Sequence, residues 1–424
     1  MQYRYGDEFR DIEKMAVLVP GAGEDSAPRE HSIYMTHFGP VIASEGLAWT
    51  GEKAYAIRDA VVDNNATVPT YFALQTAQSV ADVEAAISHQ GTFFVNTIAA
   101  DRHGNAFYGD LSATPNLDVE TISKCRKAVA GMPGQVVILD GSDPGCDWKV
   151  TPGSPVPGNL PPEKMPRATS TDYFTNSNDS YWLSNPDAPL VGYSPIIGEE
   201  ATARSLRTRA GLHFIAEAAA GGKIGPQDME QMLGSHRNFG AELLLDDVLK
   251  ICTPTLTPVD LEGSRVDVRP ACQALAAWDR RMAVDSQGGQ VWREFWRFAR
   301  EIDGIYSVPF DPDDPVNTPR GVAVDNPDVR DALLVALAGA QKWLADAGIP
   351  LDARLGDIQF AKRNGERIPV PGGEGWAGMW SMIIAELEPG EGYSKIRDGN
   401  SYMQVISWDE KGNLDPSAII TYSQ

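Results

Sequence analysis

Short alternating runs of apolar and polar residues dominate the first 110 positions and predict a β-rich start with one helix. The strand-like runs cover residues 32–36, 47–50, 93–99 and 105–108. Residues 79–89 instead repeat apolar positions at helical spacing, with Gly91 as a stop signal. Residues 101–104 end in Gly104 between two strand-like runs, which predicts a β-hairpin.

The sequence of the middle of the chain predicts one buried strand, a long loop and a polar turn. Residues 135–139 form a short β-branched run that predicts a buried strand. The Pro-rich residues 151–166 predict an extended loop over a surface. Residues 173–175 lead into the polar cluster 176–180, where Asn and Asp can turn the backbone and project their side chains. Chemistry is therefore to be sought in that cluster.

Beyond Glu199 the apolar spacing becomes helical and then returns to strands. The predicted helices cover residues 201–220, 226–233, 292–302 and 327–347, and the predicted strands cover residues 402–406 and 418–422. Asn326 is the expected N-cap of the longest helix, and Gly348 follows its end. Because strands and helices do not alternate regularly, the pattern favours an α+β fold over a doubly wound sheet.

Charge and composition narrow the classes of partner. The chain has 36 Lys and Arg against 58 Asp and Glu, a formal charge of −22, which argues against nucleic acid as a partner. No run approaches the roughly 18 apolar residues of a membrane helix. The cysteines form two local pairs, Cys125 with Cys146 and Cys252 with Cys272. They suit either two disulfides in an oxidising compartment or four buried thiols.

Common catalytic signatures are absent from the sequence. It contains no G-x-S-x-G, H-E-x-x-H, Walker A or G-x-G-x-x-G motif. The six His are scattered, so we expect neither a metal nor another cofactor. Residues 311–314 could imitate a calcium loop, but Pro312 interrupts the ligand spacing, and a solvated turn is the favoured interpretation.

The polar cluster around Asn178 has two interpretations. An Asn amide is an uncharged donor that can stabilise an oxyanion, and beside Trp182 it could face an apolar acyl pocket. Alternatively, the same residues form an Asx-turn that ends a strand. The residues of the cluster do not by themselves decide between these interpretations.

At this cluster the chain resembles the penicillin acylase family of N-terminal-nucleophile hydrolases, closest to its aculeacin A acylase and acyl-homoserine-lactone acylase branch. The N-x-N motif at 176–178 is one of several matching segments. The others, in the family's order, are residues 36–41, 100–109, 275–279, 309–319 and 401–405.

This resemblance implies part of an αββα sandwich with a helical insertion. Residues 1–200 would supply the β-rich part with the Asn178 loop, 201–350 a mainly helical region and 351–424 strands that return to the sandwich. We expect one composite catalytic domain, truncated at both ends.

The resemblance also implies an amide-bond hydrolase that releases a fatty or aromatic acyl group. The substrate would be a small amide such as an acyl-homoserine lactone, a lipopeptide or a β-lactam. In the family an N-terminal Ser attacks the carbonyl and its own α-amine is the base. By resemblance Asn178 is the oxyanion residue and Arg204 orients the site, with Arg207 and Arg209 as alternatives. Trp182 and Phe94 are the expected substrate contacts.

One departure from the family concerns the nucleophile, which the resemblance places upstream of Met1. We therefore expect a partial catalytic chain whose partners are the upstream part and the small α chain, in a periplasmic or secreted protein whose signal peptide also lies upstream. The export context favours the two disulfides. The alternatives are an inactive binding or structural protein on the same scaffold, and a split enzyme completed by another gene product.

Overall fold

The computed structural model describes residues 1–21, 27–132, 136–253 and 256–420. These residues form two compact units. The first unit comprises Met1–Phe174, Ser180–Ser184 and Pro189–Glu200, and the second comprises Thr175–Asp179, Asn185–Ala188 and Ala201–Gln424. Helix and strand are mixed along the chain, as the pattern predicts, and the strands pair in antiparallel ladders.

The first unit consists mainly of short antiparallel strands with three helices. Its elements are β1 (Gln2–Tyr5), β2 (Glu8–Asp11), β3 (Glu13–Val19), β4 (Arg29–Thr36), β5 (Gly39–Ile42), β6 (Tyr55–Ala56), α1 (Thr67–Thr76), α2 (Val80–Ile87), β7 (Thr97–Ala100), β8 (Ala106–Gly109), α3 (Val119–Cys125) and β9 (Arg167–Ser170). Strands β3 to β6 form one sheet and β7 to β9 another, while β1 and β2 form a hairpin.

Three of the predicted elements of this unit are confirmed. Residues 32–36 lie in β4, and the predicted helix is α2, whose N-cap Ser79 accepts the backbone N–H of Asp82. Strands β7 and β8 form the predicted hairpin, with Gly104 at a φ of +86°, but β7 begins at Thr97 rather than at 93. Residues 47–50 are not a strand, because Leu47 makes only an isolated bridge to Ser44.

Two predictions for residues 135–166 need correction. Residues 136–139 form no buried strand, because Leu139 makes a single bridge to Arg126 and Val136 is exposed. Residue 135 lies outside the described residues. The loop at 151–166 is irregular as predicted, but residues 158–162 are buried rather than spread over a surface.

The second unit is helical in its first half and strand-rich in its second. Its elements are α4 (Leu206–Ala220), α5 (Pro226–Gly234), α6 (Phe239–Lys250), β10 (Val259–Leu261), β11 (Ser264–Val266), α7 (Arg269–Ala277), α8 (Gly289–Ala299), β12 (Tyr306–Val308), β13 (Arg320–Val322), α9 (Pro327–Asp346), α10 (Leu355–Ile358), β14 (Phe360–Arg363), β15 (Glu366–Pro369), β16 (Ile383–Glu388), β17 (Gly392–Gly399), β18 (Tyr402–Trp408) and β19 (Leu414–Ile420). The strands pair as two-stranded hairpins.

The predicted helices of this unit are confirmed, with shifted bounds for two of them. Helix α8 covers Gly289–Ala299 rather than 292–302. Helix α9 has Asn326 as its N-cap and Gly348 after its end, and its predicted apolar stripe is buried. Helix α4 begins at Leu206 rather than at 201, because Ser205 caps it by accepting the backbone N–H of Thr208. Strands β18 and β19 are also confirmed, although residues 421–422 of the last prediction lie outside the described residues.

Both predicted disulfides are present. Cys125, the last residue of α3, is bonded to Cys146, and Cys252 is bonded to Cys272, which lies in α7. Among the described residues no helix is long and apolar enough to cross a membrane. The division into the ranges 1–200, 201–350 and 351–424 stays a prediction.

Candidate active site

A hydrogen-bonded ring between Asn176 and Asp179 shapes the polar turn of the second unit. Asn176 Nδ2 donates to the Asp179 carbonyl oxygen at 2.9 Å, and Asn176 Oδ1 accepts the Asp179 N–H at 3.1 Å. Within this ring Asn178 has a φ of +58°, a left-handed conformation that Asn adopts more readily than most residues. The Asn176 side chain therefore closes a local turn that is one residue wider than the expected Asx-turn, and no strand ends at it, because β9 ends at Ser170. The side chain of Asn178 is exposed.

The orientation of the Asn178 amide is set by Arg207 in the first turn of α4. Arg207 Nη1 donates to Asn178 Oδ1 at 2.8 Å and to the Ser177 carbonyl oxygen at 2.7 Å, and Arg207 Nε donates to the Trp380 carbonyl oxygen at 3.2 Å. A guanidinium can only donate hydrogen bonds, so the amide atom that faces it is the oxygen. The Nδ2–H end of Asn178 is therefore turned away from Arg207 as a donor.

Burial lowers the pKa of Arg207 from its ordinary value. A guanidinium nevertheless remains protonated near neutral pH, because its ordinary pKa lies above 12. Arg207 thus holds the Asn178 oxygen as a cation, and the charge strengthens that hydrogen bond.

Arg204 contacts the neighbouring residue of the turn. Its Nη1 donates to Asp179 Oδ1 at 2.7 Å, and Thr208 Oγ1 donates to Asp179 Oδ2 at 2.6 Å. The side chain of Arg204 is buried, and its Nε donates to the Thr202 carbonyl oxygen at 3.0 Å. Both oxygens of the Asp179 carboxylate are therefore attached to residues at the start of α4.

Arg209 serves a different part of the second unit. Its Nε donates to the carbonyl oxygen of Val316 at 2.8 Å, and its Nη1 donates to that of Pro319 at 2.7 Å. Burial lowers the pKa of Arg209 to about 10. Arg209 thus anchors the 309–319 segment, and of the three Arg named from the sequence, Arg207 is the one whose guanidinium bonds the Asn178 side chain.

A glycine lets the polar turn approach α4 closely. A Cβ at Gly211 would lie 2.8 Å from Trp380 Nε1 and 3.3 Å from Ser177 Oγ. The first of these distances is too short for any side chain. Gly211 is therefore required where Trp380 and the turn pack on the helix.

In the first unit, Trp182 is buried within a short 3₁₀ turn at Tyr181–Leu183. The Tyr181 hydroxyl donates a hydrogen bond to Glu200 Oε1 at 2.6 Å, and Glu200 also accepts hydrogen bonds from the backbone N–H groups of Gly192 and Tyr193. Burial and this hydrogen bond raise the pKa of Tyr181. Burial would raise the pKa of Glu200, but its hydrogen bonds outweigh burial and lower it. The Trp182 turn is thus attached to the 189–200 segment.

Phe94 lies on the surface of the first unit. Its side chain is 84% exposed, and its backbone φ is +50°. Such a backbone is uncommon for an aromatic residue and marks a constrained position. Trp182 and Phe94 therefore occupy different environments, one buried and one exposed.

Sequence reasoning named Asp179 only as a turn residue of the cluster, and it missed Thr208 and Trp380. Asp179 and Thr208 bind each other, and Trp380 supplies the carbonyl oxygen for Arg207. Arg204 and Thr208 lie on either side of the start of α4 and both bind the Asp179 carboxylate, so a cation and a hydroxyl close together at a helix start are a sequence signal for an acidic partner. Nothing local in the sequence indicates Trp380, because it is distant along the chain.

The described residues contain no group of three or more His, Cys, Asp or Glu side chains that could hold a metal ion. The predicted solvated turn at residues 311–314 is formed by local hydrogen bonds, among them the Asp313 N–H to Asp311 Oδ1 at 2.9 Å.

The comparisons with known proteins agree with the sequence resemblance. The family model described as penicillin amidase matches residues 1–424. Aculeacin-A acylase of Actinoplanes utahensis is 36% identical over 97% of this chain and 52% of its own length. The acyl-homoserine lactone acylase PvdQ of Pseudomonas fluorescens (strain Pf0-1) is 31% identical over 97% of this chain and 52% of its own length. The chain therefore spans about half the length of these curated relatives.

A solved structure shows the same fold. A thermostable penicillin G acylase from Alcaligenes faecalis aligns with 99% of this chain and 74% of its own, with a TM-score of 0.55 and 14% sequence identity. At this identity the likeness concerns the fold alone.

Proposed function

This chain belongs to the penicillin amidase family, and we propose that it forms part of an acylase, an enzyme that hydrolyses an amide bond and releases the acyl group. The observation that carries this proposal is the Arg207–Asn178 hydrogen bond. It turns the amide N–H of an exposed Asn outward as a fixed, uncharged donor.

The proposed role of Asn178 is to stabilise the oxyanion of the tetrahedral intermediate. When a nucleophile attacks an amide carbonyl, negative charge develops on the oxygen, and a donor that is already oriented stabilises it without reorganisation. Arg207 supplies that orientation, because it binds the opposite end of the amide. The proposed nucleophile is the N-terminal Ser of the family mechanism, which residues 1–424 do not supply in this proposal.

The proposed substrates are small amides with a fatty or aromatic acyl group. Two relatives of the chain are named for acyl-homoserine lactones and for aculeacin A, so acyl-homoserine lactones and lipopeptides come first and β-lactams follow. Trp182 and Phe94 are the proposed acyl contacts in the first unit. An exposed aromatic ring such as Phe94 has apolar surface that an acyl chain could cover.

The same family membership supports finer proposals on fold and location. We propose that the antiparallel strands belong to an αββα sandwich and that the helices of 201–350 are an insertion. We also propose that the protein acts in the periplasm or outside the cell, where the disulfides Cys125–Cys146 and Cys252–Cys272 would persist. Its proposed partners are the upstream part of the catalytic chain and the small α chain.

Replacement of Asn178 by Ala in the complete gene product tests this function. We expect kcat for acyl release from an acyl-homoserine lactone to fall by about 10²–10³, because a preorganised oxyanion donor is lost. The matched control is Asn185→Ala, which removes a nearby buried Asn whose Oδ1 accepts the Asp187 N–H at 2.9 Å. The control should keep kcat within about threefold.

Two results would contradict the proposal. Turnover by Asn178→Ala at the parent rate would remove the oxyanion role from this residue. Failure of the parent protein to release acid from acyl-homoserine lactones, lipopeptides and β-lactams would favour the alternative, a non-catalytic binding protein on the acylase scaffold.

A further inference from the structure

The carboxylate of Asp179 lies at the centre of the hydrogen bonds that fix the polar turn of the second unit. It accepts from Arg204 Nη1 at 2.7 Å and from Thr208 Oγ1 at 2.6 Å, while its backbone N–H and C=O bond the Asn176 side chain. Backbone and side chain of one residue are thus both attached. Asp179 is also the residue that directly follows Asn178.

We propose that Asp179 is a positioning residue for the oxyanion donor and acts through Asn178 without touching the substrate. This inference rests on the proposed function of Asn178. It assigns Arg204 to the same task, as the cation that holds Asp179, rather than to the reacting atoms.

The backbone of Asn178 is held on both sides by the same helix. On one side, Arg207 Nη1 donates to the Ser177 carbonyl oxygen at 2.7 Å. On the other side, Arg204 and Thr208 hold the carboxylate of Asp179. Since Arg204, Arg207 and Thr208 all belong to the start of α4 or the segment just before it, the two flanks of Asn178 cannot move independently.

Such a double attachment matters because the left-handed backbone of Asn178 is not the conformation that a free chain prefers. A non-Gly residue with φ near +58° costs free energy unless its surroundings impose it. If the Asp179 contacts were lost, the turn could relax toward an ordinary conformation. The Nδ2–H donor would then leave its position, and small displacements of such groups cost large factors in rate.

The ion pair between Arg204 and Asp179 is largely shielded from solvent, so it can hold the turn. The side chains of Arg204 and Asp179 are 5% and 19% exposed, and pairs of this kind are weakened little by salt. The Thr208 hydroxyl completes the site, so removal of that single group is a smaller perturbation than removal of the charge.

A kinetic cycle between Asp179→Asn and Asn178→Ala tests the inference in the complete gene product. With an acyl-homoserine lactone as substrate, we expect Asp179→Asn to lower kcat by about 10-fold or more, with KM within about twofold. In the Asn178→Ala background, Asp179→Asn should lower kcat by less than about twofold, because the Asn178 amide through which Asp179 acts is already absent. Parent-like kcat for Asp179→Asn, or an equal loss in both backgrounds, would overturn the inference.

Further variants separate this inference from folding defects and from the proposed function. If Asp179→Asn loses its cooperative thermal transition, Thr208→Val replaces it in the cycle. We expect Thr208→Val to lower kcat by about threefold. A parent-like kcat for Thr208→Val, or an equal loss in both backgrounds, would overturn the inference. Arg204→Lys should retain more kcat than Arg204→Gln, because it keeps the charge. A parent-like rate for Asn178→Ala defeats the proposed function, whereas a slow Asn178→Ala with a parent-like Asp179→Asn defeats this inference alone.

A matched control breaks another Arg–carboxylate pair in the same unit. Arg237 donates to Glu242 through Nε at 2.8 Å and through Nη2 at 2.7 Å. We expect Glu242→Gln to keep kcat within about twofold even where Tm falls, because this pair does not hold the turn. A loss as large as that of Asp179→Asn would show that any lost ion pair lowers kcat, which would contradict a positioning role.

Discussion

The second unit packs its helices around one continuous apolar core, whereas the first unit has a small core and many large apolar side chains on its surface. The core of the second unit includes the stacked pair Trp292 and Trp296, with ring centroids 5.4 Å apart. The first unit buries a cluster of only a few residues, among them Phe107 and Leu111. It exposes Phe94 and Phe72.

This difference indicates two ways of holding functional residues. In the second unit, helix α4 is fixed by the core and carries Arg207, which binds Asn178, while Arg204, which binds Asp179, lies just before the N-cap of this helix. In the first unit, the turn that carries Trp182 is held through polar contacts such as Tyr181 to Glu200. Polar contacts of this kind contribute less net free energy than apolar burial, since water competes for them. Asn178, which is exposed, likewise depends on polar contacts, whereas the Trp182 side chain is itself buried.

Replacement of an aromatic residue in each unit gives the largest expected effect. Trp296→Ala removes a side chain that is 1% exposed and should lower the free energy of unfolding of the second unit by about 3–5 kcal/mol. Phe94→Ala, at a surface position, should change the free energy of unfolding of the first unit by no more than about 0.5 kcal/mol. Hydrogen exchange resolved by unit measures both values. Similar losses for the two variants would remove the contrast between the units.

A smaller effect is expected from a buried acid of the first unit. Burial raises the pKa of Asp110 to about 6, and hydrogen bonds from Ser112 only partly oppose this. The native protein therefore holds a proton that an unfolded Asp releases near pH 3.8, so stability should fall as the pH rises from about 4 to about 6.

Asp110→Asn removes this fall. It should raise the free energy of unfolding at pH 7 by up to about 2 kcal/mol and leave it nearly unchanged at pH 3.5. Urea unfolding at the two pH values measures the difference. A gain of equal size at both would show that the carboxyl group does not titrate in this way. In the second unit, the buried Glu374 has Arg293 as a partner, but burial still raises the pKa of Glu374.

The parts of the fold that the sequence predicted are those with strong local signals. Helix α9 has an N-cap, a Pro in its first turn and a glycine after its end, and the β7–β8 hairpin has its turn residues. Residues 47–50 and 136–139 have strand-like composition but lack a pairing partner in the structure beyond isolated bridges. Composition alone cannot show whether a neighbouring strand exists, because pairing depends on residues distant along the chain.

The sequence predicted the oxyanion residue of the candidate site but not which Arg binds it. The N-x-N motif indicated Asn178 through the resemblance to the family. Three Arg in six residues left the orienting cation open, because their spacing does not fix which of them faces the turn. Ser205 decides the start of the helix, and the start decides that Arg207 faces the turn. The role of Trp380 depends on tertiary packing that no local pattern reports.

The central claim is that the Asn178 amide N–H, held by Arg207, is the group that stabilises the oxyanion. Asn178→Asp tests it most directly in the complete gene product, because Asp has nearly the same shape and still accepts from Arg207 but, when ionised, cannot donate. The account predicts that kcat falls by about 10²–10³ with KM within about threefold. An Asn178→Asp enzyme that keeps half or more of the parent kcat would contradict it.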